Sequence, residues 1–212
     1  AGGGGGYLHC CAPAPPAERG VAGGGGGAGP AWDCRSLAVV RALAPTAAMA
    51  RDGLLRGGDA RHAWVGGVAI DENANWLACG GGTESEFKAT SGWLALHHAP
   101  SGALVSASKT SAHVQPLDFM RPGGGQLVSA ANEGHVTYWK RAEATLDARV
   151  PTVVPSVFAI ATAPVPGASD DAVDAVCLAG NAPIVDVHTH PGGRAFQLST
   201  LPADDPPAPS AS

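Results

Sequence analysis

The run Val185-Asp186-Val187-His188-Thr189-His190 holds the residue pattern with the clearest chemical meaning. Two imidazoles at i and i+2 of a strand leave it on the same face, which suits a shared divalent ion, as where metal-dependent amidohydrolase sites open. Such sites take further His and Asp ligands from later strands, and here only the Pro-rich residues 191–212 follow. His188 and His190 therefore read as a strand end and its turn, with metal-dependent hydrolysis as the less favoured alternative. A second pattern is Trp32-Asp33-Cys34-Arg35, an aromatic ring, a carboxylate and a guanidinium within four residues. Arg35 would offer a planar, multi-donor head to a partner surface.

Other candidates carry less. His97-His98 and His9-Cys10-Cys11 put neighbouring side chains on opposite faces of a strand, so they do not converge as local pairs. Gly23 to Gly27 precedes neither a Gly-Lys-Ser/Thr nor a helical pattern, so it is not a phosphate loop. Ser106, Ser108 and Ser111 sit in no nucleophile-elbow context. Trp64, Trp76 and Trp93 read as packing residues rather than base-stacking platforms. Five cysteines (Cys10, Cys11, Cys34, Cys79 and Cys177) give an odd count without CxxC spacing, which disfavours a zinc site or a disulfide framework. They read as reduced thiols acting as small apolar groups. No pattern calls for a cofactor or a metal.

What would position these residues is a chain rich in turns. It has 212 residues, with Gly 30, Pro 18 and only 15% charged residues, which implies short strands rather than long helices. A formal net charge of -5 and a pI near 5.8 argue against a broad basic face for nucleic acid. No apolar run approaches 18 residues, so no membrane-spanning segment is expected. The start at Ala1, without an initiator Met or a signal-like apolar core, suggests a fragment or an incomplete gene model.

The stretch Gln126 to Arg141 supplies the repeating unit. Leu127-Val128-Ser129-Ala130 and His135-Val136-Thr137-Tyr138-Trp139 are joined by Asn132-Glu133-Gly134, which reads as two strands and a turn. Stretches ending in small residues begin at Val21, Trp76, Leu127 and Val176, at spacings of 55, 51 and 49. A period near 40–50 with about four strands per unit is the signature of a β-propeller blade. The small residues are expected at inner strands that crowd toward a central channel, making the Gln126–Arg141 hairpin the inner-to-middle pair of its blade. Residues 44–62 read as a mobile connection, 83–91 as a polar insertion, and the tail after Leu201 as disordered by composition. The expected domain is an all-β, WD40-type β-propeller over 1–201, partial, with about four blades near 7–43, 63–107, 113–150 and 156–200, then a tail over 202–212. Trp32-Asp33 falls at the end of a third strand, where WD-type propellers carry that dipeptide. Trp139-Lys140 falls at the same place with the Asp replaced.

The ordered set Tyr7-Leu8-His9-Cys10, Trp32-Asp33-Cys34-Arg35, Trp64-Val65-Gly66, Asn75 to Gly82, Leu178 to Asn181, Val185 to Thr189 and Gly193 to Leu198 resembles WD-repeat proteins of the THO complex subunit 6 family. The resemblance spans nearly all of residues 7–200 and corresponds to the C-terminal part of propellers of about seven blades. It implies a non-catalytic scaffold in the nucleus, within a THO/TREX assembly for mRNA processing and export. Its partners would be other THO subunits, including coiled-coil ones, with RNA met only indirectly. The same Trp32-Asp33-Cys34-Arg35 resembles the signature by which propellers dock on the cullin-4 ubiquitin-ligase adaptor, with Arg35 as the contact. Upstream, Gly27 stands where that signature has an acidic residue, and Pro30 and Ala31 replace bulky aliphatics. The alternative for Trp32 and Asp33 is structural, a ring packed between blades and a carboxylate ending a strand.

Four blades alone leave two apolar faces bare, so the 212-residue chain is expected to be poorly stable in isolation. A cooperative melt of the purified chain at high temperature would overturn that expectation.

Overall fold

A computed structural model of the chain describes residues 7–14, 19–55, 62–85, 88–121, 125–165, 174–189 and 193–200. They form four antiparallel sheets of four strands each, in chain order. The first comprises β1 (Leu8–Ala14), β2 (Arg19–Gly24), β3 (Gly29–Asp33) and β4 (Val39–Leu43). The second comprises β5 (Ala63–Ile70), β6 (Trp76–Ser85), β7 (Lys88–His98) and β8 (Ala103–Thr110). The third comprises β9 (Leu117–Met120), β10 (Gln126–Ala130), β11 (His135–Lys140) and β12 (Thr145–Pro151). The fourth comprises β13 (Val157–Ala163), β14 (Ala175–Gly180), β15 (Ile184–Thr189) and β16 (Gly193–Ser199). One helix, α1 (Pro45–Arg51), follows the first sheet. Among the described residues no helix is long and apolar enough to cross a membrane.

Each meander is built by the same local chemistry. In the third sheet β10 and β11 pair from Gln126↔Lys140 to Ala130↔Val136, and the chain reverses at Gly134, whose φ of 65° is costly for a residue with a Cβ. The first strand of each sheet lies innermost, since β5 meets β1 on one side and β9 on the other, and β9 also meets β13. The hairpin of β10 and β11 is therefore the middle pair of its sheet, not the inner-to-middle pair; β9 lies inside it.

Three buried clusters fill the spaces between successive sheets. Val21 and Leu43 meet Val65, Leu77, Cys79 and Trp93 between the first and second. Ala78, Leu94 and Leu96 meet Leu117, Phe119, Leu127 and Trp139 between the second and third. Val128, Val136 and Tyr138 meet Val154, Val157, Val176 and Leu178 between the third and fourth. The period of two along a strand makes this possible: Leu77 and Cys79 face the first sheet while Ala78, between them, faces the third. Leu127 and Val128 divide in the same way. The second and third sheets are thus apolar on both faces, which is why their strands read as near-continuous apolar runs.

The small-residue stretches fit this packing, not a crowded channel. A Cβ on Gly23 of β2 would overlap Val65 of β5, and one on Gly80 of β6 would overlap Val114 at the entry to β9. A Cβ on Gly81 would overlap the carbonyl oxygen of Trp64, on the neighbouring strand β5. Hydrogen bonds follow the same seams: Val114 N donates to Gly81 O at 3.1 Å, and Val157 N to Ala131 O at 3.2 Å. Asp118 Oδ2 of β9 accepts from Thr162 N at 3.1 Å and Oγ1 at 3.0 Å of β13, although burial pushes its pKa upward.

Two connections differ from the sequence reading. Within 44–62, Pro45 opens α1 at its first turn, Thr46 Oγ1 donates to Gly27 O at 2.9 Å, and Met49 is fully buried in the first cluster. Within 83–91, residues 83–85 and 88–91 extend β6 and β7, whose pairing continues through Thr83↔Ser91 to Ser85↔Lys88. The 202–212 tail lies outside the described residues.

Gly81→Ala should cost about 1–3 kcal/mol through overpacking, whereas Gly125→Ala, with open space around its Cα, should stay within about 0.5 kcal/mol. Urea midpoints of the two variants would check the contrast.

Candidate partner-binding site

Trp32 and Asp33 end β3, and Arg35 lies in the turn to β4. Asp33 Oδ1 accepts from Arg35 N at 3.0 Å, Ser36 N at 2.8 Å and Ser36 Oγ at 2.9 Å. The Ser36 amide and hydroxyl hold its carboxyl below the ordinary value, helped by the charge of Arg19. Leu37, at φ 55°, completes the turn, and Asp33 N donates to Ala38 O at 2.9 Å. Asp33 is thus spent on local geometry. Trp32 is half-buried against the β2 backbone, where a Cβ on Gly20 would come within 2.9 Å of its ring nitrogen. Arg35 is exposed beside them. The turn therefore presents one guanidinium, on a backbone that the carboxylate holds in place.

The histidine pattern belongs elsewhere. Asp186 and His188 are both fully buried, facing the third sheet from β15. His188 Nε2 donates to Asp186 Oδ2 at 2.9 Å, and the same oxygen accepts from Thr152 Oγ1 at 2.7 Å and Val153 N at 3.1 Å. Arg194 Nε lies 3.0 Å from Asp186 Oδ1 as an ion pair. Burial pushes the Asp186 pKa up, but the bonds from His188, Thr152 and Val153 outweigh it and leave it below the ordinary value. This network ties the fourth sheet to the loop that leaves the third. His190 lies outside the described residues, and among the described residues no three His, Cys, Asp or Glu side chains gather as a metal site.

The remaining candidates are dispersed. His97 is buried with Nδ1 3.3 Å from Gly102 O, while His98 Nδ1 is 2.8 Å from Ser101 Oγ. Ser108 Oγ donates to Ala144 O at 2.6 Å, and Ser111 Oγ accepts from Arg149 at 3.2 Å. The Trp64 ring has the His9 and His113 rings edge-on to it, at 6.0 and 5.0 Å between centroids. Trp76 carries the Arg141 guanidinium 5.3 Å from its centroid, and Trp93 is fully buried. All five cysteines are free thiols, with burial pushing Cys79 up to about 12 and Cys10 up to about 11.

Among solved structures, the chain is similar to one titled "Crystal structure of RRP9 WD40 repeats", at 18% identity and a TM-score of 0.62 over 88% of this chain and 49% of that one. It is also similar to "Structure of U3-55K", at 18% identity and a TM-score of 0.64 over 90% of this chain and 51% of that one. The chain folds as a WD40-type β-propeller, in part. It spans about half the length of the solved chains it matches. No family model and no curated protein matches the sequence.

Sequence reasoning singled out His188 for its spacing to His190 and missed its real partner. The signal was present: Asp186 and His188, two apart in a strand, share a face. Nothing local pointed to Thr152 or Arg194, which arrive from other strands and loops.

The pH dependence of Asp186 has a definite sign. A carboxyl whose folded pKa lies below its unfolded value of about 3.9 contributes stability in full above that pH, and loses it as the pH falls through the folded value. Asp186→Asn should cost about 2 kcal/mol at neutral pH, and the difference from the parent should shrink below about pH 4. Urea denaturation across pH 2–7 would show this; a difference constant with pH would refute it.

Proposed function

We propose that the chain is a non-catalytic WD40 scaffold of a THO/TREX-like assembly in the nucleus, acting in mRNA processing and export. The observation that carries the scaffold part is the propeller itself, four sheets packed face to face through three apolar clusters. Such a frame holds its loops still, and loops on a rigid scaffold are where partners are recognised. The ordered residue set from Tyr7 to Leu198 supports the THO assignment, with coiled-coil THO subunits as partners. The net charge of -5 agrees with RNA being met through the assembly rather than by this chain. Purified from nuclear extract, the protein should bring THO subunits with it; recovery with unrelated partners alone would overturn the reading.

A second reading, as substrate receptor of a cullin-4 ubiquitin ligase, is favoured by one feature. Arg35 is exposed on a turn whose amides Asp33 fixes, which is how a docking guanidinium would be presented. Arg35→Ala should abolish pull-down of the adaptor and leave THO co-purification unchanged if the two roles are separate.

A further inference from the structure

A groove opens beside the seam between the first and second sheets. It encloses a cavity of about 210 Å³. Val21, Ala31 and Leu43 line it from the first sheet, and Ile70 and Leu77 from the second. Arg19 and Arg41 add two guanidiniums to the wall, and among the described residues no carboxylate lines it. Arg19 is exposed and Val40, also on the wall, is 52% exposed, so these two residues mark where it opens to solvent.

Local structure explains both the opening and the charge. The register between β3 and β4 shifts where Ala31↔Arg41 is followed by Trp32↔Val39, leaving Val40 as the extra residue of a bulge. Arg41 is half-buried against the turn of the second sheet, with Nη1 3.5 Å from Ala99 O, which uses one of its five donors weakly. Arg19 stands opposite Asp33 across β2 and β3, where its charge helps lower the Asp33 pKa, while Asp33 Oδ1 accepts from Ser36 and Arg35. Leu37, in the turn before β4, and Val39, on β4, are also exposed, at 81% and 66%.

Size and charge together select the ligand. The cavity is smaller than the roughly 300–1,000 Å³ of small-molecule sites, so it suits one apolar side chain rather than a cofactor. Two guanidiniums at an apolar slot favour carboxylates flanking that side chain. The overall charge of -5 does not oppose this at close range, because charges beyond about 8 Å are screened at physiological salt. Nucleic acid would need a broader basic face than two arginines around an apolar floor provide.

We propose that this groove binds an acidic segment of a partner protein, seating one leucine- or phenylalanine-sized side chain between the first two sheets while flanking carboxylates pair with Arg19 and Arg41. It rests on the scaffold reading and names the chemistry of one partner contact.

The test is an array of short peptides in which leucine or phenylalanine is flanked by aspartate or glutamate, with lysine-flanked and serine-flanked counterparts, probed with the full chain. Acidic peptides should bind at least about tenfold more tightly than either counterpart. Arg19→Glu, at an exposed position, should reduce that binding about tenfold with an unchanged far-UV spectrum, and Val40→Glu should block it at the mouth. Three results would overturn the proposal: no acidic peptide bound, equal binding to lysine-flanked peptides, or Arg19→Glu binding acidic peptides as the parent does. Displacement of bound peptide by a uridine oligonucleotide would reassign the groove to nucleic acid. If THO subunits co-purify with the parent while the array fails, the groove proposal falls and the scaffold reading stands.

Discussion

Each of the two central sheets has to bury both of its faces, and this requirement shapes almost every residue choice in the chain. A strand can satisfy it only by being apolar at consecutive positions, as Leu77, Ala78 and Cys79 are, with alternate side chains sent to opposite neighbours. Close packing then leaves no room for a side chain at Gly80, against Val114 of the next sheet, or at Gly81, against the Trp64 carbonyl of the neighbouring strand. Full burial of a Val, Leu or Phe side chain contributes about 1.5–3 kcal/mol. The three inter-sheet clusters, holding eight, nine and seven buried side chains of that size or larger among the described residues, therefore dominate the favourable side of folding.

Polar residues are placed by the same demand. Buried Asp186 is met by Thr152 and Val153 from the loop that leaves the third sheet and by His188 two residues along its own strand. Asp118 and Thr162 repeat the arrangement across the same seam nearer the inner strands. Such groups act as fasteners between sheets. A reader looking for reactive histidines meets them first, because buried acid–base pairs and catalytic ones share the same residue types.

At the first and fourth sheets the requirement relaxes, and apolar residues are left exposed. In the first sheet the bulge at Val40 and the turn after Asp33 turn apolar and cationic groups outward together. In the fourth, β16 is exposed along its whole length, with Phe196 and Leu198 more than half open.

The repeat, the all-β class and the propeller form were legible in the sequence. They depend on local periodicity and turn chemistry, such as the alternation around Gly134 and the recurring small-residue stretches. The helix at Pro45–Arg51 was not legible, because seven residues give too few turns for a helical period to show, and its stability comes from Met49 entering the first cluster. The reason for the glycines was also hidden: the sequence displayed the small residues, but only the packed sheets identify Val65, Val114 and the Trp64 carbonyl as what they make room for. Likewise Trp32, Asp33 and Arg35 could be picked out together by their spacing, whereas Arg19 and Arg41 around one groove could not. Side chains 22 residues apart become neighbours only when β2, β3 and β4 fold back on one another, and the apolar floor beneath them requires the second sheet as well. Local pattern determined the elements; contacts between sheets decided which residues share a site.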